Sequence, residues 1–193
     1  MRYHVISVAL AALALGGAAA FAEGVVDRLM TAADKARLAA YGETRNQALA
    51  EARAGGAAAD RAVLDAALAP APVAFSGFDA AGNWQCRTIK VGGLLPLTVY
   101  GWFNCRVSDD GSGWMLEKVS GSQRTKGRLY TEGERRLIYL GSGFVAGEPV
   151  NPYGSGPKSD QVGYAVRTGA KSWRIEFPAP YYESKLDVLE FRR

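Results

Sequence analysis

Carboxylates are the main groups in this 193-residue chain that could do acid–base chemistry, because the sequence contains a single histidine, His4. Histidine is the commonest general base and the commonest metal ligand in proteins. His4 lies in an N-terminal segment that we expect to be removed on export, so the mature chain would contain no histidine. This excludes a His-assisted serine or cysteine nucleophile and a His-containing zinc site, and we expect no metal and no cofactor.

Paired carboxylates across a cleft are the remaining route to hydrolysis, as in glycosidases. Nothing in the spacing of the acidic residues places two of them at the separation that such an enzyme needs. We therefore expect no catalytic residue, and a carbohydrate-active enzyme is the third alternative for the function. The carboxylates on which it would draw are Asp109, Asp110, Glu117, Asp160, Glu176, Glu183 and Asp187.

The two cysteines have a simpler use. Cys86 lies in the strand-like stretch GNWQCRTIK, and Cys105 follows in a second β-rich run. Two cysteines cannot form a structural zinc site alone, and a thiol nucleophile would lack its base, so in an oxidising compartment we expect a disulfide. A hairpin centred near Leu95-Pro96 would place Cys86 directly opposite Cys105.

The N-terminus indicates that compartment. Residues 1–22 contain a short basic region, an apolar run from Val5 to Leu15, and the small-x-small sequence Ala20-Phe21-Ala22. This pattern is typical of a cleaved secretory signal, and the apolar run is shorter than the roughly 20 residues of a membrane span. We expect an exported protein, periplasmic or secreted, with no membrane span and no nucleic-acid partner.

Residues 23–72 form the predicted N-terminal helical segment. Thr31 and Asp34 resemble a capping box, apolar residues then recur at helical spacing, and Gly55-Gly56 ends the first helix. A second helix is predicted over Ala58 to Leu68. This helical pair is interpreted as a cap that buries one stripe against the rest of the chain, and the alternative is a docking surface for a partner.

Residues 73–193 form the predicted antiparallel β domain, with strands separated by clusters of Gly, Asp, Ser and Pro. The sequence is therefore mainly β with an N-terminal helical pair, an α+β arrangement. Eight sequential strands favour an up-and-down, calycin-like barrel, and an open twisted sheet with the helices on one face is the alternative. The predicted strands are Trp84–Val91, Leu97–Val107, Trp114–Val119, Gln123–Tyr130, Arg135–Leu140, Gln161–Arg167, Ser172–Phe177 and Lys185–Phe191.

A cationic stripe is the first candidate binding feature. Arg124, Lys126 and Arg128 alternate along one predicted strand and therefore share a face. Such a stripe suits phosphates or acidic glycans. The alternative interpretation is a solvated outer face that discourages edge pairing.

The second candidate is the long connection from Gly141 to Lys158, which carries Phe144, Val145 and Tyr153 among glycines and prolines. Connections of this length are often lids or binding loops, although a mobile insertion is the alternative. Strand aromatics such as Trp102 and Tyr164 could line a ligand pocket with these residues, or could fill the core.

Two resemblances follow from the β region. The stretch Gly82-Asn83-Trp84 on the first strand, with Arg192 or Arg193 late in the last strand, resembles the lipocalin and calycin pattern. That resemblance implies that an arginine, Arg192 in our assignment, packs over Trp84 and closes the barrel floor.

The second resemblance covers nearly all of the mature chain. The combination of GNWQCRTIK, VYGWFNCRV, GSQRTKGRLY, DQVGYAVR and SKLDVLEF resembles a family of exported bacterial proteins known only as a domain of unknown function. It implies nothing about mechanism. We expect a non-catalytic binding module that takes a small apolar ligand in the barrel mouth or a macromolecule on its surface. The alternative is an envelope interaction or inhibitor protein.

Overall fold

The structure, a computed structural model, describes residues 24–193. The predicted signal sequence, with His4, lies outside these residues. The described part begins with helices and continues as an antiparallel sheet. The helices are α1 (residues 24–29), α2 (Ala32–Ala39), α3 (Tyr41–Gly55) and α4 (Ala58–Leu68).

The predicted N-terminal cap is confirmed, because the Thr31 hydroxyl accepts a hydrogen bond from the backbone N–H of Asp34 at 3.2 Å. The first predicted helix is interrupted at Ala40, which ends α2 and precedes α3. The interruption lets the two helices pack on different strands: α2 on the strand Asp160–Gly169, and α3 on the strands Gly82–Gly93 and Ser184–Arg192.

Nine strands follow the helices. They are β1 (Gly82–Gly93), β2 (Leu97–Val99), β3 (Phe103–Asp109), β4 (Trp114–Lys118), β5 (Gln123–Thr131), β6 (Leu137–Val145), β7 (Asp160–Gly169), β8 (Ser172–Pro178) and β9 (Ser184–Arg192).

The strands close into a barrel. Each strand from β3 to β9 pairs antiparallel with the next one, and β1 pairs with both β3 and β9, so eight strands form a closed cylinder. Strands β2 and β3 pair with the same edge of β1. The short extra strand β2 pairs with the C-terminal part of β1, and β3 pairs with its N-terminal part. The predicted eight-stranded barrel is confirmed, and the open sheet is not formed. Closure leaves no long edge to protect from other chains.

The disulfide between Cys86 and Cys105 is present, with Cα atoms 5.8 Å apart. The predicted register is wrong: Cys86 pairs with Phe103, and Cys105 pairs with Trp84, so the two cysteines are diagonal neighbours on one face. Two features of the backbone explain the shift. The β1–β2 turn is centred on Leu94, since Val91 pairs with Leu97, and the three residues between β2 and β3 leave the ladder.

The helices cover one part of the outer face of the barrel, over β1, β2, β7, β8 and β9, as the cap interpretation predicted. Ala48, Leu49 and Ala52 of α3 pack with Ile89 and Val91, which point outward from β1. The contact is close enough to require glycine at the end of β1, because a Cβ on Gly92 would lie 3.0 Å from the Ala48 Cα. A helix with an apolar stripe and little stability of its own is stabilised by such a surface.

One end of the barrel interior is filled by aromatic side chains. Trp173 stacks on Phe191 with ring centroids 3.7 Å apart and meets Trp84 edge to face. Residues 73–81 cross this end, and the Trp84 indole donates to the carbonyl of Ala80 at 2.8 Å. An arginine packs over Trp84 at this end, but it is Arg193, whose guanidinium lies 4.1 Å from the centre of the Trp84 ring, whereas Arg192 lies over Trp102. The assignment to Arg192 is wrong.

Candidate functional site

The opposite end of the barrel interior is polar and contains a small cavity of about 60 Å³. Strands β1, β4, β5, β7, β8 and β9 all contribute to its wall. We call it the mouth cavity. It is lined by Thr88, Lys118, Gln123, Arg124, Thr125, Gln161, Phe177, Asp187 and Leu189.

Strand alternation explains why the cavity is polar. Trp84 and Cys86 point inward at the filled end of β1, so Thr88 and Lys90 further along the same strand also point inward. In β4 the same period carries Leu116 and then Lys118 inward. The inward faces of β1 and β4 thus change from apolar to polar along the barrel axis, while Phe177 and Leu189 keep part of the wall apolar.

Tyr139 lies at the boundary between the two halves. Its hydroxyl is 2.5 Å from the Thr125 hydroxyl, which in turn donates to the Gln161 side-chain oxygen at 2.5 Å. The ring lies directly against the backbone of β5 and β6, because a Cβ on Gly127 or Gly141 would come within 2.6 Å of the Tyr139 ring carbon that bears the hydroxyl. These two glycines leave room for the ring of Tyr139 to lie along the inner wall of the barrel.

Lys118 is the most buried cation of the mouth cavity, with 6% of the residue exposed. Its ammonium donates to the backbone carbonyl of Gln123 at 2.8 Å and lies 4.0 Å from the centre of the Phe103 ring. Burial lowers its pKa to about 8, and the nearby charges of Arg124 and Lys90 act in the same direction. The protein holds this charge at a cost, since desolvation disfavours a buried ammonium.

Lys90 lies beside this cavity and, unlike Lys118, has a carboxylate partner. Its ammonium donates to the Gln123 side-chain oxygen at 3.0 Å and forms an ion pair with Glu183. The hydrogen bond from Lys90 holds the pKa of Glu183 below its usual value. Glu183 adopts a positive φ of 69° in the β8–β9 loop, which places its side chain toward β1.

Asp187 points inward from β9 and accepts a hydrogen bond from the Ser184 hydroxyl at 2.6 Å. Burial raises its pKa to about 6, the charge of Glu183 adds to the rise, and the Ser184 hydrogen bond and the charge of Lys90 oppose it. An acid with this pKa can be converted between its two forms near neutral pH. Hydrogen-bond donors, acceptors and both signs of charge therefore face the same small volume.

Exposed apolar side chains surround part of this end, in two loops that we call the rim. The β1–β2 loop carries Leu94 and Leu95, and the β8–β9 loop carries Tyr181 and Tyr182, all of them more than half exposed. The loops are joined, because the Leu94 N–H donates to the carbonyl of Glu183 at 2.8 Å. Since Glu183 pairs with Lys90, the rim is directly linked to the polar end of the interior.

A larger groove of about 560 Å³ lies between α1 and the β5–β6 hairpin. Val26 and Met30 line one side, and Glu132 and Arg136 line the other. Arg136 is paired with Glu132 through both of its carboxylate oxygens and also covers the Tyr164 ring at 4.1 Å. Arg136 and Glu132 are matched to each other, and the groove lies outside the barrel, so we regard the mouth cavity as the stronger candidate.

The cationic stripe lies on one outward face of β5, as predicted. Arg128 pairs with Asp110 at 2.5 Å, and Lys126 pairs with Glu117 at 3.1 Å. The hydrogen bonds from Arg128 and from Ser112 hold the pKa of Asp110 well below its usual range. Most of the charge of the stripe is thereby matched by carboxylates of β4 and of the β3–β4 loop.

The long connection is shorter than the sequence predicted, because Phe144 and Val145 belong to β6 and pair with β5. Tyr153 in the remaining loop is docked on the helices: its hydroxyl donates to Asp34 at 2.7 Å and accepts from the Thr31 N–H at 3.2 Å. Two further loop amides, at Gly154 and Gly156, donate to the Asp160 carboxylate. Whether this segment moves as a lid stays a prediction.

The two predicted strand aromatics do not line the mouth cavity. Trp102 lies between two arginines on the outer surface, 4.5 Å from the Arg87 guanidinium and 3.8 Å from that of Arg192. Tyr164 points outward from β7 and meets Tyr41 of α3 edge to face at 5.0 Å. The structure therefore does not bring the predicted ligand residues together.

The groups that do line the mouth cavity were mostly missed by the sequence interpretation, although Asp187 was considered as a carboxylate. The available signal was strand parity, since Lys90 shares the face of Trp84 and Cys86, and Lys118 shares the face of Leu116. Within residues 24–193, no group of three or more acidic, histidine or cysteine side chains is placed to hold a metal ion.

No helix in the described part of the chain is both long and apolar enough to cross a membrane.

Comparison with known proteins identifies the chain at the family level. The chain belongs to the family described as Domain of unknown function (DUF4893), whose profile matches residues 27–191. No curated protein and no solved structure shows significant similarity to it.

Proposed function

We propose that this protein is an exported, non-catalytic binding module whose mouth cavity takes a small polar ligand or the polar end of a larger one. The observation that carries the proposal is the division of the barrel interior. One half is filled by aromatic side chains, whereas the other encloses a cavity with several convergent polar groups. Small-molecule sites commonly have this form.

The same division changes the expected chemistry of the ligand. The apolar half holds Trp84, Trp173 and Phe191 in mutual contact, which leaves its interior occupied by side chains. The cavity that remains is lined by lysine, glutamine, threonine and aspartate. A polar ligand is therefore favoured over the small apolar molecule that the aromatic content predicted.

Export is supported by the disulfide, which is stable in oxidising compartments and uncommon in the cytosol. The expected signal sequence at residues 1–22 agrees with this assignment. Most of the candidate carboxylates have structural partners, such as the two arginines that hold Glu176. This supports a binding role over paired-carboxylate hydrolysis.

The test is to fill the cavity. Thr88→Met adds volume from the cavity wall, and Thr131→Met at the exposed end of β5 is the matched control. Protein purified from its native envelope is examined by native mass spectrometry for retained ligand, and ligand-induced shifts of melting temperature are measured. Ligand that is retained by the wild type and the control but lost in Thr88→Met supports the proposal. A wild type that retains nothing and responds to no ligand contradicts it.

The rim favours a second candidate, an envelope interaction protein. Leu94 is 79% exposed and lies next to two exposed tyrosines, and contiguous exposed apolar side chains often mark interfaces. Leu94→Asp should then abolish capture of a partner by the mature protein. Leu29→Asp, on an equally apolar but distant position of α1, is the control. Equal capture by both variants would contradict a rim interface.

A further inference from the structure

We propose that the ligand group held in the mouth cavity is an anion, a carboxylate or a phosphate, that serves as the counter-ion of Lys118. The inference rests on the proposed function and names its ligand class. It starts from the charge balance around a buried ammonium. Among residues 24–193, no carboxylate forms an ion pair with Lys118.

A buried charge without a counter-ion is unusual, because buried lysines are almost always paired. The ammonium of Lys118 has one carbonyl acceptor and one aromatic face, and both are electrically neutral. A methionine of similar length could fill the same space with no desolvation cost. The positive charge of Lys118 is therefore better explained by an ion pair with a bound ligand than by any group of the chain itself.

The nearest charges to Lys118 also favour an anion. The charges that act on Lys118 are both positive, since Arg124 lies on the outward face of β5 and Lys90 on the inward face of β1. Lys90 is matched by Glu183, and the Arg124 guanidinium donates to the carbonyl of Gly121 at 3.0 Å. An entering anion would meet the unpaired positive charge of Lys118.

Asp187 completes the polar wall and decides how binding depends on pH. It lines the same cavity, and its negative form would repel an anion. Its protonated form can instead donate a hydrogen bond to the ligand. Anion binding should therefore take up a proton at Asp187 and keep the proton of Lys118, so the affinity should rise as the pH falls.

The size of the cavity limits what enters. A volume of about 60 Å³ holds a few non-hydrogen atoms, which suits a carboxylate or phosphate group and not a whole lipid. The remainder of a larger ligand would emerge toward Leu94 and Tyr182 of the rim. The shared chemistry is the anionic group, whether it belongs to a free small anion or to the head of an amphiphile.

The experiment is calorimetric titration of the mature protein with acetate, octanoate and inorganic phosphate at constant ionic strength. Lys118→Met removes the charge and keeps the length, and Lys126→Met on the outer face of β5 is the matched control. We expect one saturable site, weakened at least tenfold in Lys118→Met and unchanged within twofold in Lys126→Met. Acetate binding should weaken at least tenfold between pH 6 and 9, because Lys118 loses its proton and Asp187 becomes negatively charged.

Stronger binding of octanoate than of acetate assigns the anion to an amphiphile, and equal binding assigns it to a free anion. Anion affinity that is the same in Lys118→Met and the wild type overturns the inference. If the wild type binds no anion but retains a neutral ligand that Thr88→Met displaces, the anion inference fails and the proposed function stands. If no probe binds and nothing is retained, both fail.

Discussion

The guanidinium of Arg45 on α3 donates a hydrogen bond of 2.7 Å to the carboxylate of Glu176 on the outer face of β8. Glu176 is 2% exposed and also receives the Tyr41 hydroxyl at 2.8 Å and the Arg174 guanidinium at 2.8 Å. Burial alone would raise the pKa of Glu176, but Arg174 and Arg45 outweigh it and hold the pKa below its usual value. One carboxylate therefore joins the helical cap to the barrel.

Glu176→Ala should lower the free energy of unfolding by about 3 to 5 kcal/mol, because it leaves two arginines without their buried counter-ion. Urea denaturation followed by tryptophan fluorescence measures the change. Glu117→Ala is the control, since its pair with Lys126 is partly exposed and should be worth less than about 1 kcal/mol. Equal effects of the two substitutions would show that the cap does not depend on the buried pair.

The disulfide gives a second prediction. The oxidised protein should contain no titratable thiol, and replacing Cys86 and Cys105 together by alanine should cost about 2 to 5 kcal/mol. The variant should still bind whatever the mouth cavity takes, because the cysteines lie among the apolar side chains of the filled end. Two reactive thiols in the native protein would contradict the structure.

Much of the fold could be predicted from local patterns. Strand alternation, turn residues and the parity of Cys86 and Cys105 were sufficient for an eight-stranded barrel with one staple. The register could not be predicted, because the three residues between β2 and β3 do not pair with β1. Local sequence does not show where such an interruption of strand pairing occurs. A ladder can shift by two residues and still keep every side chain on its face.

The mouth cavity could not be predicted for a different reason. A lysine in an amphipathic strand is normally assigned to solvent, since buried lysines are rare. Lys118 and Lys90 nevertheless follow the inward period of their strands, and only closure of the barrel brings them together with Asp187. Likewise, Tyr164 lies on the outward face of β7 and Trp102 in the connection between β2 and β3, where Tyr41 and two arginines contact them.

The loop between β6 and β7 provides a third prediction. Tyr153→Phe removes the donor to Asp34, a residue that is 1% exposed, and should lower the free energy of unfolding by about 1 to 3 kcal/mol. Burial and the hydrogen bond to Asp34 raise the pKa of Tyr153 to about 12, so its hydroxyl remains a donor up to alkaline pH. Tyr182→Phe, at an exposed position, is the control. An unchanged stability in Tyr153→Phe would show that the loop is free of the helices and would revive the lid.

A fourth prediction concerns Asp187. Its pKa is raised to about 6, so between the unfolded value and pH 6 the native state binds more protons than the unfolded state. The stability that this residue contributes is fully present below its unfolded pKa, near 3.8, and is lost as the pH rises through about 6. Asp187→Asn should therefore remove about 1 to 3 kcal/mol of pH dependence over this interval. A denaturation series in piperazine hydrochloride, whose buffering species is a cation and which adds no carboxylate or phosphate, measures the difference, and parallel pH profiles for the two proteins would contradict it.

The last prediction uses stability to separate a functional charge from a structural one. Burial lowers the pKa of Lys118 to about 8 from an unfolded value of 10.5, so between these values the unfolded state binds more protons. Wild-type stability should then rise with pH across this interval relative to Lys118→Met. Below pH 8 the variant should be more stable by about 1 to 2 kcal/mol, discounted because water reaches the cavity. If Lys118 serves ligand binding at a cost in stability, its substitution should stabilise the fold and weaken anion binding. If Lys118→Met is instead destabilised at every pH, the ammonium is part of the framework, and its carbonyl and aromatic contacts are sufficient reason for its burial.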